Sequence, residues 1–149
     1  MNGESMLNIR NVNHVGIRIR DKARSVAFYE QLGFEQTTDA GFEQGHPIIL
    51  KHPSGVVLNL LGPANSTLQT NVLMDIDEKH PGITHVALTV ESLPEAKTFL
   101  EANGIELTGS FSFGGMSAVF IRDPDRNVIE LDAYGPDCRA DMKEYFGHI

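Results

Sequence analysis

Cysteine is almost missing from this chain, with one residue, Cys138, among 149. A single thiol closes no intrachain disulfide, and its place after a Gly-Pro turn shows no redox spacing. Cations are scarce too. Twelve Lys and Arg against twenty Asp and Glu leave a formal charge of −8, which argues against nucleic acid as a partner, because phosphate binding needs a cationic surface. No window reaches the roughly 18 apolar residues that span a bilayer, and the opening MNGESMLNIR has no long apolar run. The expectation is a soluble, cytoplasmic protein. What the chain does hold is 41% hydrophobic residues, fourteen Gly and seven Pro, the make-up of one compact, turn-rich domain rather than a disordered chain.

The primary feature is an internal repeat. His14 and His85, Phe28 and Phe99, Gly33 and Gly104, Pro53 and Pro124, and Leu60 and Leu131 all stand 71 positions apart, and Asn59 answers Glu130 at the same lag. The chain reads as one unit written twice. Module 1 covers 11–61, a linker 62–82, module 2 83–134 and a tail 135–149.

Each copy opens on an alternating stretch. In VNHVGIRIR (12–20), Val12, His14, Gly16, Arg18 and Arg20 fall on one side and Asn13, Val15, Ile17 and Ile19 on the other, a strand pattern. Asp21 then starts a helix, with Ala23, Val26 and Ala27 at helical spacing, and Gly33 ends it in a left-handed position. FEQTTDA, HPIILKH and VVLNLL follow as strands, the last two joined at Pro53-Ser54-Gly55. In the second copy THVALTV is the strand and ESLPEAKTFLEANG the helix, with Pro94 near its start. IELTGSFSF, MSAVFIRD and NVIELDAY close the unit, with Gly114-Gly115 a flexible break and DPDRN a turn. NVLMDID in the linker packs or merely connects, and CRADMKEYF near the end reads as a short helix offering Met142, Tyr145 and Phe146 for docking.

His14 and His85 hold the same place in the two copies. Glu130 lies in the last strand, between Ile129 and Leu131, which should point into a packed layer; an unpaired carboxylate is costly there. If a pseudo-twofold axis relates the copies, two imidazoles and one carboxylate converge as a divalent-metal site with open positions for water or substrate. Asn59 is a fourth ligand or hydrogen-bonds a metal-bound water. Arg18, on the face of His14 and about 13 Å further along, would be buried and answer an anion, either a protein carboxylate or a substrate acid group. Phe120 lines the cavity, and Tyr134 closes one end and donates a hydrogen bond. Arg122, Asp123 and Asp125 serve the turn and its local ion pairs, and His46, His52, His80 and His148 are surface or loop residues.

NHVGIRIRD with SVAFYEQLGF, ITHVALTV and FIRDPDRNVIELDAY together resemble the vicinal oxygen chelate superfamily, the glyoxalase, bleomycin resistance protein and extradiol dioxygenase family. The resemblance implies an α+β fold of two βαβββ modules, whose sheets form a cup around a divalent ion. It places metal ligands at His14, His85 and Glu130, with Asn59 matching the fourth position. Glyoxalase I is expected to carry Glu at that fourth position, so the chain departs from it there, and three ligands is the pattern of extradiol dioxygenases and fosfomycin-modifying enzymes. The implied function is metal-dependent chemistry on a small substrate with neighbouring oxygens, dioxygenase-like or lyase-like, with Glu130 catalytic and the ion Fe, Mn, Ni or Zn. A homodimer is implied by analogy. The alternative is a non-catalytic module of the same fold that binds an aromatic or apolar small molecule.

Overall fold

In the computed structural model, which describes residues 5–135, the repeat is visible as geometry. Cys138, the tail helix with Met142, Tyr145 and Phe146, and His148 lie outside the described residues. The first half runs β1 (Val15–Arg18), α1 (Lys22–Gln31), β2 (Glu35–Asp39), a 3-10 turn (Phe42–Gln44), β3 (Ile48–Lys51) and β4 (Val57–Leu61). The second runs β5 (His85–Thr89), α2 (Leu93–Ala102), β6 (Gly109–Phe113), β7 (Met116–Arg122) and β8 (Val128–Tyr134). Each half is a four-stranded mixed sheet, ordered β1-β4-β3-β2 and β5-β8-β7-β6. The first strand of each unit pairs parallel to the last, and the remaining pairs are antiparallel.

The lag of 71 survives into register. Gly16 sits opposite Asn59 in the first sheet and Ala87 opposite Glu130 in the second, and the two helices share both end points at that lag. Where the copies part is the second strand. The lag would start β6 at 106, yet it starts at Gly109 and runs to Phe113, because residues 105–107 connect α2 to the sheet and Thr108 is the first to bond β7, through Phe120 O at 2.8 Å. β1 is likewise shorter than the alternating stretch, beginning at Val15.

Local chemistry explains the helices. Asp21 caps α1, its carboxylate accepting from the Arg24 amide at 2.9 Å, and Ser92 caps α2 by accepting from Glu95 N at 3.3 Å, with Pro94 in the first turn. Gly33 follows α1 with φ 99°, a left-handed backbone that β-branched side chains resist. Gly114 and Gly115, both at positive φ, form the tight turn between β6 and β7.

Alternation assigns the faces. Ile17, Ile48, Leu50, Leu58 and Leu60 from the first sheet and Val119, Ile121, Ile129 and Leu131 from the second are buried in one shared cluster with Tyr29, Leu93 and Leu100 of the helices. Each such side chain contributes roughly 1.5–3 kcal/mol of burial, so the two halves are held by a common core. The opposite faces of β1, β4, β5 and β8 carry Arg18, Asn59, His85 and Glu130 by the same period of two, and His14 lies one residue before β1 rather than in it. β2 is exposed along its whole length, as an outermost strand of polar residues can be. No helix is long and apolar enough to cross a membrane among the described residues.

Candidate functional site

The second sheet brings His85 and Glu130 together. β5 and β8 run side by side, and the His85 Nε2 lies 3.3 Å from Glu130 Oε1. The other ring nitrogen is 2.8 Å from Thr84 Oγ1, which fixes the orientation of the imidazole. Glu130 is 8% exposed, between Ile129 and Leu131, which point to the core as the alternation requires. Burial raises the proton affinity of its carboxyl above the ordinary glutamate value, His85 opposes that, and the neighbouring carboxylate of Asp132 adds to it.

Asp132 was not legible as part of this cluster. It lies two residues beyond Glu130 on the same face of β8, is 6% exposed, and accepts a 2.7 Å hydrogen bond from Thr89 Oγ1 across the strand pair. The signal was present in IELDAY, where the period of two places Glu130, Asp132 and Tyr134 on one side. Aromatic rings wall the pair. Phe120 stands opposite Glu130 in the register, its ring 6.0 Å from His85 and stacked at 5.8 Å on Phe111, another residue that the sequence reading left out.

The first sheet contributes differently. His14 is exposed, with Nδ1 2.7 Å from Asn13 Oδ1. Among the described residues no three His, Cys, Asp or Glu side chains form a group able to hold a metal ion, so His14 is not grouped with His85 and Glu130 within one chain. Asn59 Oδ1 is buried and accepts no hydrogen bond from any described residue, an orphaned acceptor in a half-buried strand. Arg18 is exposed rather than buried, so it carries no charge that the fold must neutralise. Its guanidinium makes no ion pair among the described residues, while its carbonyl accepts from Asn127 Nδ2 at 3.1 Å. Arg18, Gly16 and His85 line one cleft of about 210 Å3 between β1 and β5. Tyr134 is 67% exposed and closes nothing in the chain by itself.

The turn residues reach further than local ion pairs. Asp123 accepts hydrogen bonds from the amides of Asp125 and Asn127, from Asn127 Nδ2 and from Tyr29 Oη, at 2.8–2.9 Å. Burial raises the Asp123 carboxyl above the usual carboxylate value despite these donors, and burial followed by the Asp123 charge pushes the Tyr29 phenol well above its own. Arg122 forms a two-point contact with Asp75 of the linker at 2.8 Å, which ties the NVLMDID segment down.

Comparison with known proteins agrees with this architecture. Residues 13–121 match the family described as the glyoxalase, bleomycin resistance protein and dioxygenase superfamily. The chain is 29% identical over 133 residues to a lactoylglutathione lyase of Schizosaccharomyces pombe, covering 80% of this chain and 43% of that protein, so it spans less than half of the lyase. Among solved structures, a glyoxalase family protein from Enterococcus faecalis superposes with a TM-score of 0.65 at 27% identity, over 83% of this chain and 97% of the other. A glyoxalase/dioxygenase from Nostoc punctiforme gives 0.70 at 23% identity, over 89% and 98%. Twin mixed sheets in repeat register and a family match that runs from the first strand of the first sheet into β7 of the second lead to one assignment: the chain belongs to the glyoxalase, bleomycin resistance protein and dioxygenase superfamily, also known as vicinal oxygen chelate proteins.

Proposed function

We propose that the protein is a divalent-metal-dependent enzyme of the glyoxalase and dioxygenase type. Its substrate is a small molecule with neighbouring oxygens, and its chemistry is dioxygenase-like or lyase-like. The observation that carries this reading is the 3.3 Å approach of His85 to a buried Glu130 beside the stacked rings of Phe111 and Phe120. An imidazole, a carboxylate and the orphaned amide oxygen of Asn59 suit a divalent ion of borderline hardness, such as Fe, Mn, Ni or Zn. His14, His85 and Glu130 would hold it, with Asn59 as fourth ligand or as a contact to bound water. When bound, the ion polarises the substrate oxygens and stabilises negative charge on them.

The chain's own groups supply the rest. Glu130, buried on β8 beside His85, is the residue we assign to taking and returning a proton. Thr89 fixes Asp132 beside it. Phe111 and Phe120 form an aromatic wall beside the pair, and the guanidinium of Arg18, which has no ion pair among the described residues, meets an anionic group of the substrate. Tyr134, on the Glu130 face of β8 and exposed, offers a hydroxyl to the substrate. Because His14 is not grouped with the pair within one chain, we place the finished site in a cytoplasmic homodimer, module 1 (11–61) of one copy against module 2 (83–134) of the other.

Elemental analysis of protein purified without chelator tests the proposal. About one ion per chain is expected, falling at least tenfold in Glu130→Ala; equal metal in both would overturn it. Oxygen-consumption and hemithioacetal-isomerisation assays across added metals then separate the two reaction types. A second reading, sequestration of an aromatic small molecule without catalysis, is favoured by the stacked Phe111 and Phe120 rings. Ligand binding of equal strength with and without chelator would select it.

A further inference from the structure

The duplicated fold meets itself twice, and the two junctions are not alike. At the first, the β7–β8 turn of the second half is bonded to α1 and the end of β1. Tyr29 donates to Asp123, while Arg24 and Ser25 donate to Asp125 at 2.9 and 3.3 Å. The Arg20 amide also donates to Asp125, at 3.1 Å, and Asn127 donates to the Arg18 carbonyl. The lag of 71 identifies the same positions at the second junction, where the β3–β4 turn faces α2.

There every polar partner has been exchanged. His52 replaces Asp123 and faces Leu100 in place of Tyr29. Ser54 replaces Asp125 and faces Glu95 and Ala96 in place of Arg24 and Ser25. Val56 replaces Asn127, and Glu91 stands where Arg20 would be. No hydrogen bond or ion pair crosses between these turn and helix side chains among the described residues. Instead a cavity of about 590 Å3 separates them, within the range of small-molecule sites. Leu32, Phe34, Phe99 and Leu100 supply its apolar wall. Its titratable lining residues are Glu91, Glu95 and His52. His52 is already engaged, its Nδ1 accepting from the Ser54 amide at 3.0 Å and its ring packed 5.2 Å from Phe34. Glu91 and Glu95 have exposed carboxylates with no partner among the described residues. Lys, Arg and Asp are absent from the lining.

We propose that this cavity is a second ligand site, for a small organic cation: an apolar, aromatic or aliphatic body lying against Phe34 and Phe99, with an ammonium group at Glu91 and Glu95. The missing cation of the junction is thereby supplied from outside the chain. His85, Glu130 and Phe120 do not line the cavity, so the inference stands independently of the metal reading.

Calorimetric titration with 2-phenylethylamine, protonated at neutral pH, and with its neutral counterpart 2-phenylethanol tests it. The amine is expected to bind about fivefold more tightly than the alcohol. The double variant Glu91→Gln, Glu95→Gln, on exposed positions that the fold tolerates, should bring the amine down to the alcohol's affinity. Ala96→Phe should abolish both by filling the space, with thermal unfolding to verify that the variant is folded, and Glu130→Gln should leave amine binding unchanged. Equal affinity for amine and alcohol, amine binding that survives the double Gln variant, or no binding of either probe up to about 10 mM would each overturn the proposal.

Discussion

At the scale of single residues, the side chains with the most at stake are buried acceptors. Asp123 gathers four donors in a site only 4% exposed. Removing the carboxylate leaves the buried Tyr29 hydroxyl and two turn amides unsatisfied, so Asp123→Ala should cost about 3 kcal/mol in a urea unfolding series. Because burial raises its folded-state pKa, ionised Asp123 favours the fold less than the protonated form does. Its contribution is greatest below the unfolded value near 3.8 and declines as pH rises through the folded one. Asp39 shows the opposite sign. Lys22 at 2.9 Å, together with the amides of Gly41 and Phe42, lowers its pKa to about 2. Its support for the fold is present above 3.8 and is lost as pH falls towards 2, and a carboxyl-detected NMR titration should find its midpoint near 2 rather than near 4.

Among the elements, the strands of the site were legible because the period of two in THVALTV and NVIELDAY fixes which side chains share a face, and because His85 recurs from His14. Phe111 was not, since its relevance depends on which strands neighbour β8, and pairing order is not written in any local pattern; the period of two does put Asp132 on the face of Glu130, but its bond to Thr89 depends on β5 lying alongside. The start of β6 was missed for a related reason: IELT alternates well enough for a strand, but only residues from 108 onward reach β7. Packing at the β4–linker corner gives a sharper test. A Cβ on Gly62 would lie 2.5 Å from Cζ of Phe42, which is 2% exposed, and 2.8 Å from the Ile19 carbonyl oxygen. Gly62→Ala should therefore destabilise by about 2–3 kcal/mol, read as a lower urea midpoint with an unchanged slope.

For the whole molecule, the repeat made the architecture readable in advance, since matched His, Phe, Gly and Pro at one lag imply two copies of one unit sharing a core. How the two copies face each other could not be read that way, because the lag is the same for any packing. The proposed homodimer makes this a solution measurement. His14→Ala and Glu130→Ala proteins, each expected to bind no metal, should recover about a quarter of the wild-type sites when equal amounts are unfolded together and refolded, since roughly half of the dimers are then mixed and each mixed dimer holds one intact site. No recovery in a mixture shown to contain mixed dimers would place both halves of the site in one chain.

The dissimilar junctions have a mechanical consequence. A duplicated unit begins with two equal seams, but here one is stitched through Asp123 and Asp125 and the other is left gaping. Any breathing of the two halves must then pivot about the stitched side, so that amides at the start of α2 exchange with solvent sooner than their counterparts in α1.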